Sequence, residues 1–95
     1  MKKSLKITVH GKVQGVGYRE FVKKCATKLA IEGTAQNVEP GAVLIYASGP
    51  SEILEDLIDS LYQGTPTSSI KEIFYESFSG DKDFHGVFRV IGEAE

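Results

Sequence analysis

Leu5, Ile7 and Val9 alternate with Lys6, Thr8 and His10, a period of two that predicts a strand with one buried face. The stretch from Gly11 to Gly17 breaks this alternation. From Tyr18 the apolar positions recur three and four residues apart, at Phe21, Val22, Cys25, Ala26 and Leu29, with Lys23, Lys24, Thr27 and Lys28 on the other side. That spacing predicts an amphipathic helix ending before Gly33. A short extended segment over 34–38 leads into "EPGA", a proline-glycine turn. The continuous apolar run "AVLIYA" that follows predicts a strand at the centre of a sheet or covered on both faces. Gly49 and Pro50 suit an N-cap and first helical position, with Glu52, Glu55 and Asp56 near the positive helix end. Ile53, Leu54, Leu57, Ile58, Leu61 and Tyr62 then form an apolar stripe that should end near Gly64. After the loop "GTPTSS", "IKEIFYESF" reads as a strand whose Ile70 and Ile73 fall out of step, which predicts a bulge. "SGDKDFHG" is a second loop and "VFRVI" a short last strand.

The order is β-α-β-β-α-β with one extra short C-terminal strand. Two consecutive β-α-β units of this size predict an α+β ferredoxin-like sandwich, an antiparallel sheet with both helices on one face. At 95 residues there is room for one core, so a single domain over 1–95 is expected. The hydrophobic share of 41% with 25% charged residues excludes a disordered chain. A formal net charge of -2 gives the surface as a whole no attraction for nucleic acid or anionic lipid, so any anion site must be local. Cys25 is the single cysteine, which rules out an internal disulfide or a CxxC motif and fits a cytoplasmic setting. "MKKSLKITV" has no apolar segment of signal-peptide length, and no run reaches the roughly 20 apolar residues of a membrane helix.

The chemistry-bearing stretch is "HGKVQGVGYRE". Glycines at 15 and 17 can take positive φ and turn successive backbone N–H groups toward one point. The stretch opens a helix, whose N-terminal amides and dipole favour an anion, and Arg19 adds a fixed positive charge with a forked donor set. The same local pattern also fits a tight turn with Arg19 as a solvated first-turn residue, the commoner use of such glycines. It is not GxxxxGK[ST], since the lysine and hydroxyl are missing, nor can GxGxxG be fitted to Gly11, Gly15 and Gly17.

"GKVQGVGYR" resembles the acylphosphatase signature G-x-V-Q-G-V-x-[FY]-R at nearly every position. "GTAQN" stands where that family has G-W-V-x-N, and "PGAVLIYASG", "LYQGTP" and "FHGVFRV" resemble its later landmarks in order and spacing. The resemblance covers essentially the whole chain. It implies a metal-independent and cofactor-free hydrolase that cleaves the carboxyl–phosphate bond of a small acyl phosphate. It further implies that Arg19 and the loop of Gln14, Gly15, Val16, Gly17 and Tyr18 hold the phosphate, while Asn37 orients the attacking water. Inorganic phosphate or sulfate is the expected site anion, and a monomer the expected state. Thr34, Ala35 and Gln36 replace the residues common beside the family's asparagine, and the loss of a tryptophan removes packing that could hold Asn37 in place. Those changes motivate the alternative of a non-catalytic anion-binding or regulatory module. The resemblance extends to acylphosphatase-like domains inside larger hydrogenase-maturation carbamoyltransferases, against which a free-standing domain is expected here.

Other residues favour plain roles. Cys25 shares the apolar stripe with Phe21 and Leu29, so packing outweighs nucleophilic use. His10 and His85 lack a second ligand at metal spacing. Tyr46, Tyr62 and Tyr75 read as core or sheet aromatics, and without a basic composition a nucleic-acid platform is the most distant reading.

Overall fold

The computed structural model describes residues 2–79 and 83–92; positions 80–82 of the loop expected over 79–86 lie outside the described residues. The elements run β1 (Lys2–Lys12), α1 (Tyr18–Lys28), β2 (Glu32–Val38), β3 (Ala42–Pro50), α2 (Ser51–Gln63), β4 (Ser69–Ser77) and β5 (Phe88–Ile91). They form one five-stranded sheet in the order β4-β1-β3-β2-β5. The pairs β1–β3, β1–β4 and β2–β3 are antiparallel. β5 runs parallel to β2, so the sheet is mixed rather than wholly antiparallel. The hydrophobic period that marks a strand carries no information on its direction, and β5 lies at the edge opposite β4.

The core follows from the two periodicities. Leu5, Ile7 and Val9 of β1, Ala35 of β2, and Val43, Ile45 and Ala47 of β3 point to one face. Tyr18, Val22 and Ala26 of α1 and Leu54, Leu57 and Leu61 of α2 cover that face. The central position of β3 accounts for its unbroken apolar run: Val43 and Ile45 are buried while Leu44 and Tyr46, pointing the other way, are half-buried. Tyr46 meets Phe78 edge-on, with ring centroids 5.3 Å apart. Tyr75 is a sheet aromatic as expected, though 56% exposed, while Tyr62, 54% exposed on α2, is neither a core nor a sheet residue. Tyr62 stands beyond the last buried position of the α2 stripe, and Tyr75 belongs to β4, an edge strand of which most residues are exposed.

The expected bulge is present. His10 pairs with Glu72 and Gly11 with Ile70, so Lys71 is the extra residue in β4. This one-residue slip lets Ile70 and Ile73 both pack against the core. The start of α2 lies one residue later than its sequence suggested. Lys2 pairs with Pro50 and Lys3 with Gly49, and Pro50, at ψ 140°, is the N-cap. A residue before proline is held extended, which keeps Gly49 in β3.

Glu32 stitches three segments together. Its Oε1 lies 2.8 Å from Lys2 Nζ, and its Oε2 accepts a hydrogen bond of 2.8 Å from the Gly86 amide ahead of β5. The hydrogen bond from Lys2, followed by that from Gly86, holds the carboxyl below its ordinary value of 4.5. Because the folded form is the stronger acid, its stabilising effect is present above pH 4.5 and is lost as pH falls through the folded pKa. Glu32→Gln should therefore lower the melting temperature by ~1–4 °C near neutral pH. In thermal melts at about pH 2 that difference should vanish, since both proteins then carry a neutral side chain.

Candidate active site

Residues 13–17 connect the end of β1 to α1. Val13 is fully buried and Val16 packs against the core, which pins the loop between its glycines. Gly15 and Gly17 both adopt φ 73°, and Val16 between them is not among the positive-φ residues. Such alternation turns successive N–H groups toward a common point. A Cβ at either glycine would meet no atom within 4 Å; the glycines serve the backbone conformation, and the space above them is open. Gly17 is also the N-cap of α1 and gives it no side-chain cap. The first-turn amides are therefore not covered by a capping side chain, at the end where the helix dipole favours negative charge.

Tyr18 fixes this helix end in the core. Its ring is fully buried and its hydroxyl donates to the Leu61 carbonyl of α2 at 2.8 Å. Burial raises its pKa, keeping the phenol neutral and its hydroxyl a donor. The side chain is a core anchor and leaves only the backbone of Tyr18 available to the loop.

Arg19 is 4% exposed, and its Nη1 donates to the Ile91 carbonyl at 2.7 Å. In the β2–β5 pair Ile91 stands opposite Gln36. The bond therefore places the guanidinium one residue from Asn37, at the C-terminal end of β2. Gly92 completes this seat at φ 102°, where a Cβ would come within 3.1 Å of Arg19 Nη1. Gly92→Ala should displace the guanidinium as well as strain the backbone. We expect catalytic efficiency to fall about tenfold or more while the melting temperature changes by only about 4–8 °C, measured by steady-state kinetics beside thermal melts.

Asn37 pairs with Val43 and shares its strand face with buried Ala35, on the helix side of the sheet. Its Oδ1 is buried. Thr34 and Gln36 point to the opposite face, so two of the three departures from the family pattern do not lie beside the Asn37 side chain on its own face. The loop reaches the same place from the other side. Gln14 Nε2 donates to the carbonyls of Val38 at 3.1 Å and Ala42 at 3.0 Å, on the two strands flanking the β2–β3 turn.

The structure thus brings the 14–18 loop, Arg19 and Asn37 together at one end of β2. Ile91, Gly92 and the Gln14 side chain had no role in the sequence reading. Gln14 is a fixed position of the signature, but the partners of all three lie far away in the chain, so no local pattern shows what they hold. Cys25 stands apart, about 9 Å along the helix axis from Arg19. It is half-buried, and burial raises its thiol pKa. His85 lies in an exposed turn with its Nδ1 3.5 Å from Asp83, and His10 meets the Phe74 ring edge-on.

Backbone amides at a helix N-terminus, a buried guanidinium and a carboxamide gathered at one end of β2 suit a tetrahedral oxyanion beside an oriented water. Known proteins of similar sequence and fold point to one family. The family model Acylphosphatase matches residues 5–90. An acylphosphatase of Pseudothermotoga lettingae is 38% identical over 77 residues, covering 81% of this chain and 86% of that one. The crystal structure of acylphosphatase from Bacillus subtilis superposes with a TM-score of 0.88 at 32% identity, covering 97% of this chain and 100% of that one. The T. kodakarensis HypF structure matches all of this chain with 12% of its own length, at a TM-score of 0.83 and 28% identity. With its family model, its relatives and its fold in agreement, the chain belongs to the acylphosphatase family.

Proposed function

We propose that this protein hydrolyses the carboxyl–phosphate bond of small acyl phosphates, giving a carboxylate and inorganic phosphate. The observation that carries this reading is the meeting of the open glycine loop, buried Arg19 and Asn37 at the end of β2. The loop amides of 14–18 and the Arg19 guanidinium hold the phosphoryl oxygens. A cation screened by little water stabilises charge in the transition state more than an exposed one would. Asn37 orients a water for in-line attack on phosphorus, and the carboxylate leaves from the opposite side. An acyl phosphate has so good a leaving group that positioning and charge stabilisation suffice. A guanidinium and a carboxamide offer no general base at ordinary pH. The water's proton accordingly passes to a phosphate oxygen of the substrate, and the pH–rate profile follows substrate ionisation rather than a side chain. Every group in this scheme comes from one chain, so a monomer suffices, and inorganic phosphate is the natural competing anion.

The test is hydrolysis of benzoyl phosphate by the unaltered protein in the presence of a chelator. Rapid, chelator-resistant turnover inhibited by inorganic phosphate supports the reading. Phosphate binding without turnover by the folded protein would leave an anion-binding module instead.

A further inference from the structure

We propose that the side chain of Gln14 is a positioning residue, setting the distance between the phosphate-holding loop and the Asn37 carboxamide. The proposal rests on the water-orienting role of Asn37. The two parts of the site sit on different elements, the loop on the β1–α1 connection and Asn37 on β2. Their separation must be held to a fraction of an ångström for the water to lie in line with the scissile bond. Side-chain packing at Gly15 and Gly17 cannot hold it, since neither has a side chain and the space around both is open. Gln14 supplies what the glycines lack. Its Nε2 carries two N–H donors, one directed at the Val38 carbonyl and one at the Ala42 carbonyl.

These two acceptors face each other across the β2–β3 pair at the base of the turn. The Val38 carbonyl also accepts the Gly41 amide at 3.2 Å, using its second lone pair. Val38 directly follows Asn37, so a shift of the hairpin tip shifts the peptide that carries the catalytic carboxamide. Carbonyls only accept, so no amide flip gives an equivalent tether. Glutamate, of the same shape, offers no donor and would set negative charge against two carbonyl oxygens.

Gln14→Leu and Gln14→Met remove both donors, and Gln14→Glu reverses the polarity. Each is measured for kcat, KM and inhibition by inorganic phosphate, with Asn37 present and with Asn37→Ala. Gln14→Leu and Gln14→Met are expected to lower kcat about 10- to 100-fold, with phosphate inhibition altered less than about threefold. In the Asn37→Ala background the same changes should cost less than about twofold, because the group they position is gone. Full kcat in Gln14→Leu and Gln14→Met would overturn the proposal. So would equal losses in both backgrounds, or a loss carried by weaker phosphate inhibition, which would make Gln14 a support of the loop alone. Unchanged activity in Asn37→Ala by itself would instead overturn the role of Asn37, and the Gln14 proposal with it.

Discussion

In the Arg19→Ala protein, benzoyl phosphate hydrolysis is expected to fall at least about 1,000-fold, and inorganic phosphate should lose most of its power to inhibit. Removing a single donor from an oxyanion site costs roughly 100- to 1,000-fold, and an arginine stabilising a transferring phosphoryl group is worth about 10³ to 10⁵. Arg19 belongs at the upper end for a structural reason. It is 4% exposed and held by the Ile91 carbonyl at 2.7 Å, so its charge is pre-oriented and little screened. Arg19→Lys separates charge from geometry. Lysine keeps the cation but lacks the planar fork, and it cannot hold the Ile91 carbonyl and a phosphate together in the same directions. A loss of about 100-fold is expected for it, intermediate between the two. Far-UV circular dichroism should show both variants folded, since Tyr18 and Val22 continue to anchor α1 in the core.

Asn37→Ala is expected to lower kcat by about 100- to 1,000-fold and to leave phosphate inhibition within about threefold. The contrast with Arg19 is the informative part. In the proposed scheme Arg19 meets the phosphate in both ground and transition states, so its loss should appear in binding and in rate. The water contact proposed for Asn37 would matter only as the bond forms, so its loss should appear in kcat. Asn37→Asp preserves shape but sets a carboxylate near the substrate phosphate, and it should raise KM as well as lower kcat. A variant at Asn37 that lost phosphate inhibition and kept kcat would assign this residue to binding instead.

Much of this architecture could be read from the chain because period and punctuation agree locally. The alternation of Leu5, Ile7 and Val9 and the stripe from Ile53 to Leu61 each report burial against a near neighbour; the structure buries the first three with Leu54, Leu57 and Leu61, and packs half-buried Ile53 and Ile58 against them. The offset of Ile70 and Ile73 correctly announced the bulge, which falls at Lys71. Direction and distant pairing were not legible in the same way. Nothing in "VFRVI" shows that β5 runs parallel to β2, yet that pairing is what brings Ile91 to Arg19. At Gly49 and Pro50 local helix-start chemistry competed with strand pairing to Lys2 and Lys3, and the pairing won.

The same division runs through the site. Gly15, Arg19 and Asn37 stood out because motif spacing names them, and Gly17 as a second glycine just ahead of a helix; the fold brings them to one end of β2. Tyr18 was legible as an apolar helix position, but its hydroxyl's partner, Leu61, is 43 residues away. The signature names Gln14, but what its side chain holds was illegible for that reason: its acceptors are backbone carbonyls 24 and 28 residues on, and a backbone carbonyl leaves no trace in a sequence. The departures at Thr34 and Gln36 looked like threats to Asn37 as neighbours in the chain. A strand's two-residue period sends them to the other face.

The most direct test of the central claim, attack of an oriented water on phosphorus, is a turnover of benzoyl phosphate in ¹⁸O-labelled water, followed by mass analysis of both products. The account predicts one labelled oxygen in the inorganic phosphate and none in the benzoate. Label in the benzoate would place the attack on the acyl carbon, and the roles given to the loop, Arg19 and Asn37 would be wrong.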